Sequence, residues 1–267
     1  MAHILFLVHG MGKHHEQGQP NAWHQDIVST LNAAATQYPN WATNGVVRRP
    51  VEERRRIVPI TYDDIFEDQR NDWAQSAAAV IDFIKANPSK APGGQLGDAE
   101  ARKILRLQQA TSADTFFNTH VLDVLLYRFT FRGDQVRARV ARKILTELKR
   151  DRTSGQHTYS ILAHSLGTAV IHDTLHALRT HQHNEAAGFP RVTTPLKQAV
   201  HLFTIANVSR VLQNPSRTPP AYLSEVKPGS AAKGACKYMY TATHDFDPIA
   251  RTKEFDPTPD AWLNDQV

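Results

Sequence analysis

The chain lacks most of the residues that would commit it to several chemistries. Of its 267 residues only one, Cys236, is cysteine. An intrachain disulfide is therefore excluded, a thiolate metal centre has no ligand set, and nothing points to an oxidising compartment. No run approaches the roughly 18 apolar residues of a spanning helix. The apolar stretch Ile4 to Val8 is too short for the core of a secretory signal and has no basic lead-in. A cytoplasmic protein is the expectation. Phosphate-binding loops are missing as well. Gly10-Met11-Gly12-Lys13 does not have the G-x-x-x-x-G-K-[ST] spacing, and a dinucleotide fingerprint would need glycine where His15 stands. His14-His15-Glu16 is not part of an H-E-x-x-H motif, so neither a metal nor another cofactor is expected. The charge surplus is mild, +5 with a pI near 9.3. It accompanies no recognisable nucleic-acid module, and nucleic acid is not expected as a partner.

What is present reads as an ordinary globular chain, 41% hydrophobic and 21% charged, long enough for one domain with a sizeable core. Short apolar strands alternate with helical patterns. Strands are expected at Ile4–Val8, Arg56–Tyr62, Tyr159–Ala163, Ala199–Ala206 and Lys237–Ala242. Pro59 assigns the second of these to an edge or a bulge. Between the first two, Asn21 could cap a helix reaching Tyr38, with Trp23, Ile27 and Leu31 on one face. Alternation of this kind argues for a mostly parallel sheet flanked by helices, an α/β fold with right-handed crossovers. Residues 63–153 interrupt the alternation with a mostly helical insertion.

The segment Ala163-His164-Ser165-Leu166-Gly167 joins the third strand to a helical pattern in Val170, Ile171, Thr174, Leu175 and Leu178. A serine between small residues on a strand-to-helix turn has the form of a nucleophile elbow. The tight turn strains the serine backbone, so nothing bulky fits two residues to either side. It also sets the serine at a helix N-terminus, where free N–H groups favour developing negative charge. His9-Gly10-Met11-Gly12, after the first strand, supplies the matching glycine loop. The backbone N–H groups of Met11 and Leu166 are the expected oxyanion-hole donors. An acid should follow a later strand, and His244-Asp245-Phe246-Asp247-Pro248 does so. Proline beside it stiffens the turn around Asp247, which makes Asp247 the first choice and Asp245 the second.

With these motifs in place the chain resembles the α/β-hydrolase fold, and more narrowly serine lipase/esterase-like proteins. Asp247-Pro248-Ile249-Ala250-Arg251, taken with the elbow and with Asp173 downstream of it, is similar to the DDHD-type phospholipase domain, whose members cleave glycerophospholipid esters. The resemblance implies Ser165 as nucleophile and Asp247 as triad acid. It also implies a histidine base beyond a further strand. Fourteen histidines occur, none after His244. The final strand and its histidine are thus expected to be absent from these residues. His244, beside the acid, is the substitute, with His9, His14 and His15 as alternatives.

The other histidines read as structural. His164 is expected to pack beneath the elbow, His157 and His201 flank strands, and His172, His176, His181 and His183 fall on surface positions. In the insertion, Asp72 to Lys85 and Phe116 to Phe131 carry apolar stripes, and the basic residues from Arg128 to Arg152 follow. Packed helices explain these best; a lid beside an anionic membrane surface is the functional reading. The expectation is a serine esterase or lipase-like hydrolase of small-molecule or lipid esters, acting through an acyl-enzyme. The alternative is a catalytically inactive binding or scaffold protein on the same fold.

Overall fold

The computed structural model describes residues 3–10, 23–37, 50–86, 122–150, 158–180, 188–190, 196–210, 212, 226–230, 234–245 and 247; at 74, 77, 78, 80–86 and 122 it describes the backbone alone. The elements follow one another as β1 (His3–Val8), α1 (Trp23–Thr36), α2 (Val51–Arg54), β2 (Arg55–Ile60), α3 (Asp63–Ala86), α4 (Leu122–Phe129), α5 (Arg132–Arg150), β3 (Thr158–His164), α6 (Leu166–Thr180), β4 (Ala199–Ile205) and β5 (Cys236–Ala242). The five strands among the described residues run parallel in the order β2-β1-β3-β4-β5. The parallel α/β sheet with flanking helices is thus as expected, and all five strands lie within a residue or two of their expected places.

β1 shows why a short apolar run becomes a central strand. Every one of its residues is buried. Ile4, Phe6 and Val8 face the layer that holds Val136, Val140 and Ile144 of α5 and Val170 and Leu175 of α6. Leu5 and Leu7 face the other way, where they meet Leu162 and the α1 residues Trp23, Ile27 and Val28. A strand covered on both faces needs apolar residues at every position, not at alternate ones. Pro59 sits on β2, which among the described residues pairs only with β1, so its missing donor belongs to an edge strand. Past α1, the same face continues as stacked rings: His201 over Phe203 and Tyr238, and Phe203 over Tyr240 at 5.0 Å.

The described parts of the 63–153 segment are helical, and α3 starts nine residues before the apolar stripe that announced it. Residues 87–121 and 151–157 lie outside the described residues. α5 buries Val136, Ala138, Val140, Ala141 and Ile144 completely. Its cations are engaged by acids of other elements and of its own: Arg139 by Asp64 of α3, Arg137 by Asp173 of α6 at 3.8 Å and by Asp134 one turn away, Lys143 by Glu147 at 2.8 Å within the helix. Arg70 and Asp123 form a buried pair that ties α3 to α4. No helix among the described residues is long and apolar enough to cross a membrane.

At the amino end of the sheet, His3 is buried and shares hydrogen bonds with Thr158 Oγ1 (2.7 Å) and Ser160 Oγ (2.9 Å). Burial, then the charges of Arg55 and His201, lower its pKa from 6.5 to about 4. Between those two values the unfolded chain takes up a proton that the fold refuses. Stability is therefore complete above pH 6.5 and falls as pH drops toward 4. We expect a loss on the order of 2 kcal/mol over that window, discounted for partial solvent screening. Urea unfolding at the two ends of the window measures it, and His3→Gln should flatten the dependence.

Candidate functional site

Ser165 is the single residue between the end of β3 and the start of α6, and its φ is +51°, in the left-handed region. A side chain there costs free energy of order 1 kcal/mol, so the surroundings must hold the turn. The Ser165 N–H donates to the Ile205 carbonyl at 2.9 Å, carrying the β3–β4 hydrogen bonds one step past the strand ends. The Ser165 carbonyl accepts from the Thr168 N–H (2.9 Å) and the Thr168 hydroxyl (2.6 Å), and Thr168 Oγ1 in turn accepts from the Val208 N–H at 3.0 Å. One β4–β5 step repeats the device: Ala206, φ +50°, donates to the Ala242 carbonyl at 2.8 Å.

Two glycines let this turn close against β1. A Cβ on Gly167 would stand 2.3 Å from the His9 carbonyl oxygen and 2.7 Å from that of Val8. A Cβ on Gly10 would stand 2.7 Å from Ser165 Cβ and 3.3 Å from His164 Nδ1. The loop leaving β1 is itself pinned. Tyr62 donates its hydroxyl proton to the His9 carbonyl at 2.7 Å, and His9 Nδ1 donates to the Gly10 carbonyl at 2.6 Å. The His9 ring is buried, stacked on Tyr62 at 4.5 Å, with Nε2 facing Asp63 Oδ1 at 3.4 Å. Burial, then Asp123 and Asp63, hold the Tyr62 hydroxyl well above its ordinary pKa, so it stays a donor.

Of the expected site residues, Leu166 opens α6 and is fully buried; Met11 lies outside the described residues, as do His14 and His15. Asp247 is half-buried beyond β5, and its N–H donates to the His244 carbonyl at 3.0 Å, so acid and candidate base share one turn. His244 and Asp245 are exposed. The structure brings a different histidine into the field of Asp247. His164 retains solvent contact at the end of β3 and does not pack beneath the turn, because the ring leans toward Gly10. Partial desolvation lowers its pKa, Asp247 opposes that shift, and His9 adds to it.

Two features escaped the sequence reading. The His9–Tyr62–Asp63 cluster unites residues more than fifty positions apart. Beneath the turn, buried Thr204, Asn207 and Ser209 form a polar network: Asn207 Nδ2 donates to Thr204 Oγ1 at 3.2 Å, and Ser209 donates twice to Asn207 Oδ1. The helical position of His172 also misled. It is buried against Asp173 (3.3 Å), not on the surface, and His176 is half-buried, because α4 and α5 cover that side of α6. His157, His181 and His183 lie outside the described residues. Asp173 accepts a hydrogen bond from Tyr127 at 2.7 Å; burial alone would raise its pKa, but His172, Tyr127 and Arg137 outweigh burial and hold it below the usual carboxylate range. Cys236 is buried, its thiol pushed up to about 12 by burial, which leaves no reactive thiolate.

Among the described residues, no group of three or more His, Cys, Asp or Glu side chains is arranged to hold a metal. A groove between α1 and the α2–β2 edge, bordered by His24, Val28 and Ile57, includes none of the expected site residues. Comparison with family models, curated proteins and solved structures returned no match to this chain.

Proposed function

We propose that the chain is a serine hydrolase of the α/β-hydrolase type that cleaves carboxylic esters through an acyl-enzyme. The observation that carries this reading is the positive φ of Ser165 on the turn between central strand β3 and α6, with Gly10 and Gly167 emptied of side chain around it. A nucleophile elbow needs that strain. Ala206 has the same backbone without a nucleophile, so the reading rests on the serine, the strained turn and the two glycines taken together. The strand order supports the reading further. The glycine loop leaves β1, directly beside β3, and Asp247 follows a strand two places along on the other side.

In this mechanism Ser165 Oγ attacks the ester carbonyl carbon while its proton passes to a histidine. The Leu166 and Met11 N–H groups receive the developing oxyanion. The alkoxide leaves with that proton, and water then hydrolyses the acyl-enzyme. Asp247 orients the base and stabilises it when charged. Two histidines compete for that role: His244, on the acid's own turn, and His164, beside Ser165 and within the field of Asp247. The reading invokes no cofactor.

Fluorophosphonate labelling of the folded chain tests it. Label is expected on Ser165, absent in Ser165→Ala, and slowed by about a hundredfold or more in whichever of His244→Gln and His164→Gln removes the base. A folded chain that takes no label would instead be a binding or scaffold protein on this sheet.

A further inference from the structure

We propose that the α4–α5 knuckle, Leu125, Phe129 and Phe131 with Arg128 and Arg132, is a docking surface for an anionic phospholipid bilayer. α4 turns Leu126 and Tyr127 into the core, and no other element among the described residues covers its opposite side. Leu125 is 45% exposed, Phe129 76% and Phe131 59%, a concentration of large apolar surface at one helix end. From Val124 to Gly133 no acidic residue occurs. Arg128 is exposed between the apolar side chains, and the Arg132 guanidinium stands 4.8 Å over the Phe131 ring while also reaching Asp72 at 3.6 Å. Large exposed apolar side chains with cations and no acid among them in the sequence match the apolar boundary and negative surface of an anionic headgroup layer.

The knuckle also lies at the right end of the molecule. Glu147 of α5 is tied to Arg56, near the amino end of β2. From Glu147 back to Arg132 the helix climbs about 22 Å at 1.5 Å per residue. From Arg56 to its last residue β2 climbs only about 13 Å. Arg139 meets Asp64, just past the end of β2, along the way. Phe129 and Phe131 therefore stand at or beyond the carboxyl end of the sheet, the end that carries Ser165. Docking would turn the serine toward lipid; that consequence alone rests on the ester-hydrolase reading.

The test is co-sedimentation with vesicles of phosphatidylcholine alone and of equimolar phosphatidylcholine and phosphatidylserine. The wild type is expected on the anionic vesicles, less so at high salt. The Phe129→Glu/Phe131→Glu double variant, altered only at exposed positions and shown to be folded by circular dichroism, should bind at least roughly tenfold more weakly. Arg128→Gln should weaken binding severalfold, and Ser165→Ala should bind as the wild type does, whatever its activity. Absence of wild-type binding, or equal binding by the double variant, overturns the proposal. So does a concentration-dependent dimer that the double variant abolishes, which would assign the knuckle to a second copy of the chain.

Discussion

Gly167→Ala is expected to destabilise the fold by about 3 kcal/mol, the upper range for overpacking. The added Cβ would meet the backbone carbonyl oxygens of His9 and Val8 at 2.3 and 2.7 Å, and backbone at the end of a central strand cannot rotate aside as a side chain can. Relief requires α6 to retreat from β1, which drags the Ser165 turn with it. The variant should therefore show a Tm lowered by roughly 6–10 °C. It should also react with fluorophosphonate far more slowly than its folded fraction accounts for. Gly188→Ala is the control: its φ is +77°, but the nearest atom to an added Cβ is 3.9 Å away, so only the backbone penalty of about 1 kcal/mol applies. Equal losses in the two variants would remove the case for tight closure at Gly167.

Asp247→Asn should lower the rate of ester cleavage, or of fluorophosphonate inactivation, by about 10³–10⁴-fold near neutral pH. An amide at that position cannot stabilise the imidazolium that forms as Ser165 gives up its proton. Stability should change by less than about 0.5 kcal/mol, since Asp247 is only half-buried and its turn is closed by backbone. Asp245→Asn, two residues away and exposed, should stay within about threefold of the wild type. If Asp245→Asn were the slower of the pair, the acid would be Asp245. Because Asp247 opposes the lowering of the His164 pKa, the same variant should shift the His164 titration downward, which proton NMR of the imidazole reads directly.

The strands and the Ser165 turn were legible because their signals are local. Apolar runs of five to eight residues, small residues flanking one serine and helical spacing after it are complete within short windows. What stayed illegible depends on residues far apart in the chain. The arginines of α5 look uncompensated in a window with few acids, yet Asp64 and Asp173 arrive from α3 and α6 to meet them. His172 looks like a surface residue of an amphipathic helix, but α6 is covered nearly all round, so periodicity had no polar face to mark. His9 could be read as a loop histidine near the glycines; that it stacks on Tyr62 and faces Asp63 follows only once α3 is seen to start at the end of β2.

The strand order also sets a schedule for synthesis. β1 emerges first, yet its long-range neighbour is β3: His3 and Thr158, which face each other in the register, are 155 positions apart. At 5–20 residues per second, roughly 10–30 s pass before that neighbour leaves the ribosome. Meanwhile β1 can pair only with β2, and its other edge, on a strand whose six residues all end up buried, waits unpaired. Topology of this kind folds slowly and rewards whatever shields the edge during the wait. The chain should thus be prone to aggregate when it is overproduced faster than chaperones can occupy it, and nascent chains halted before β3 should be the species they hold.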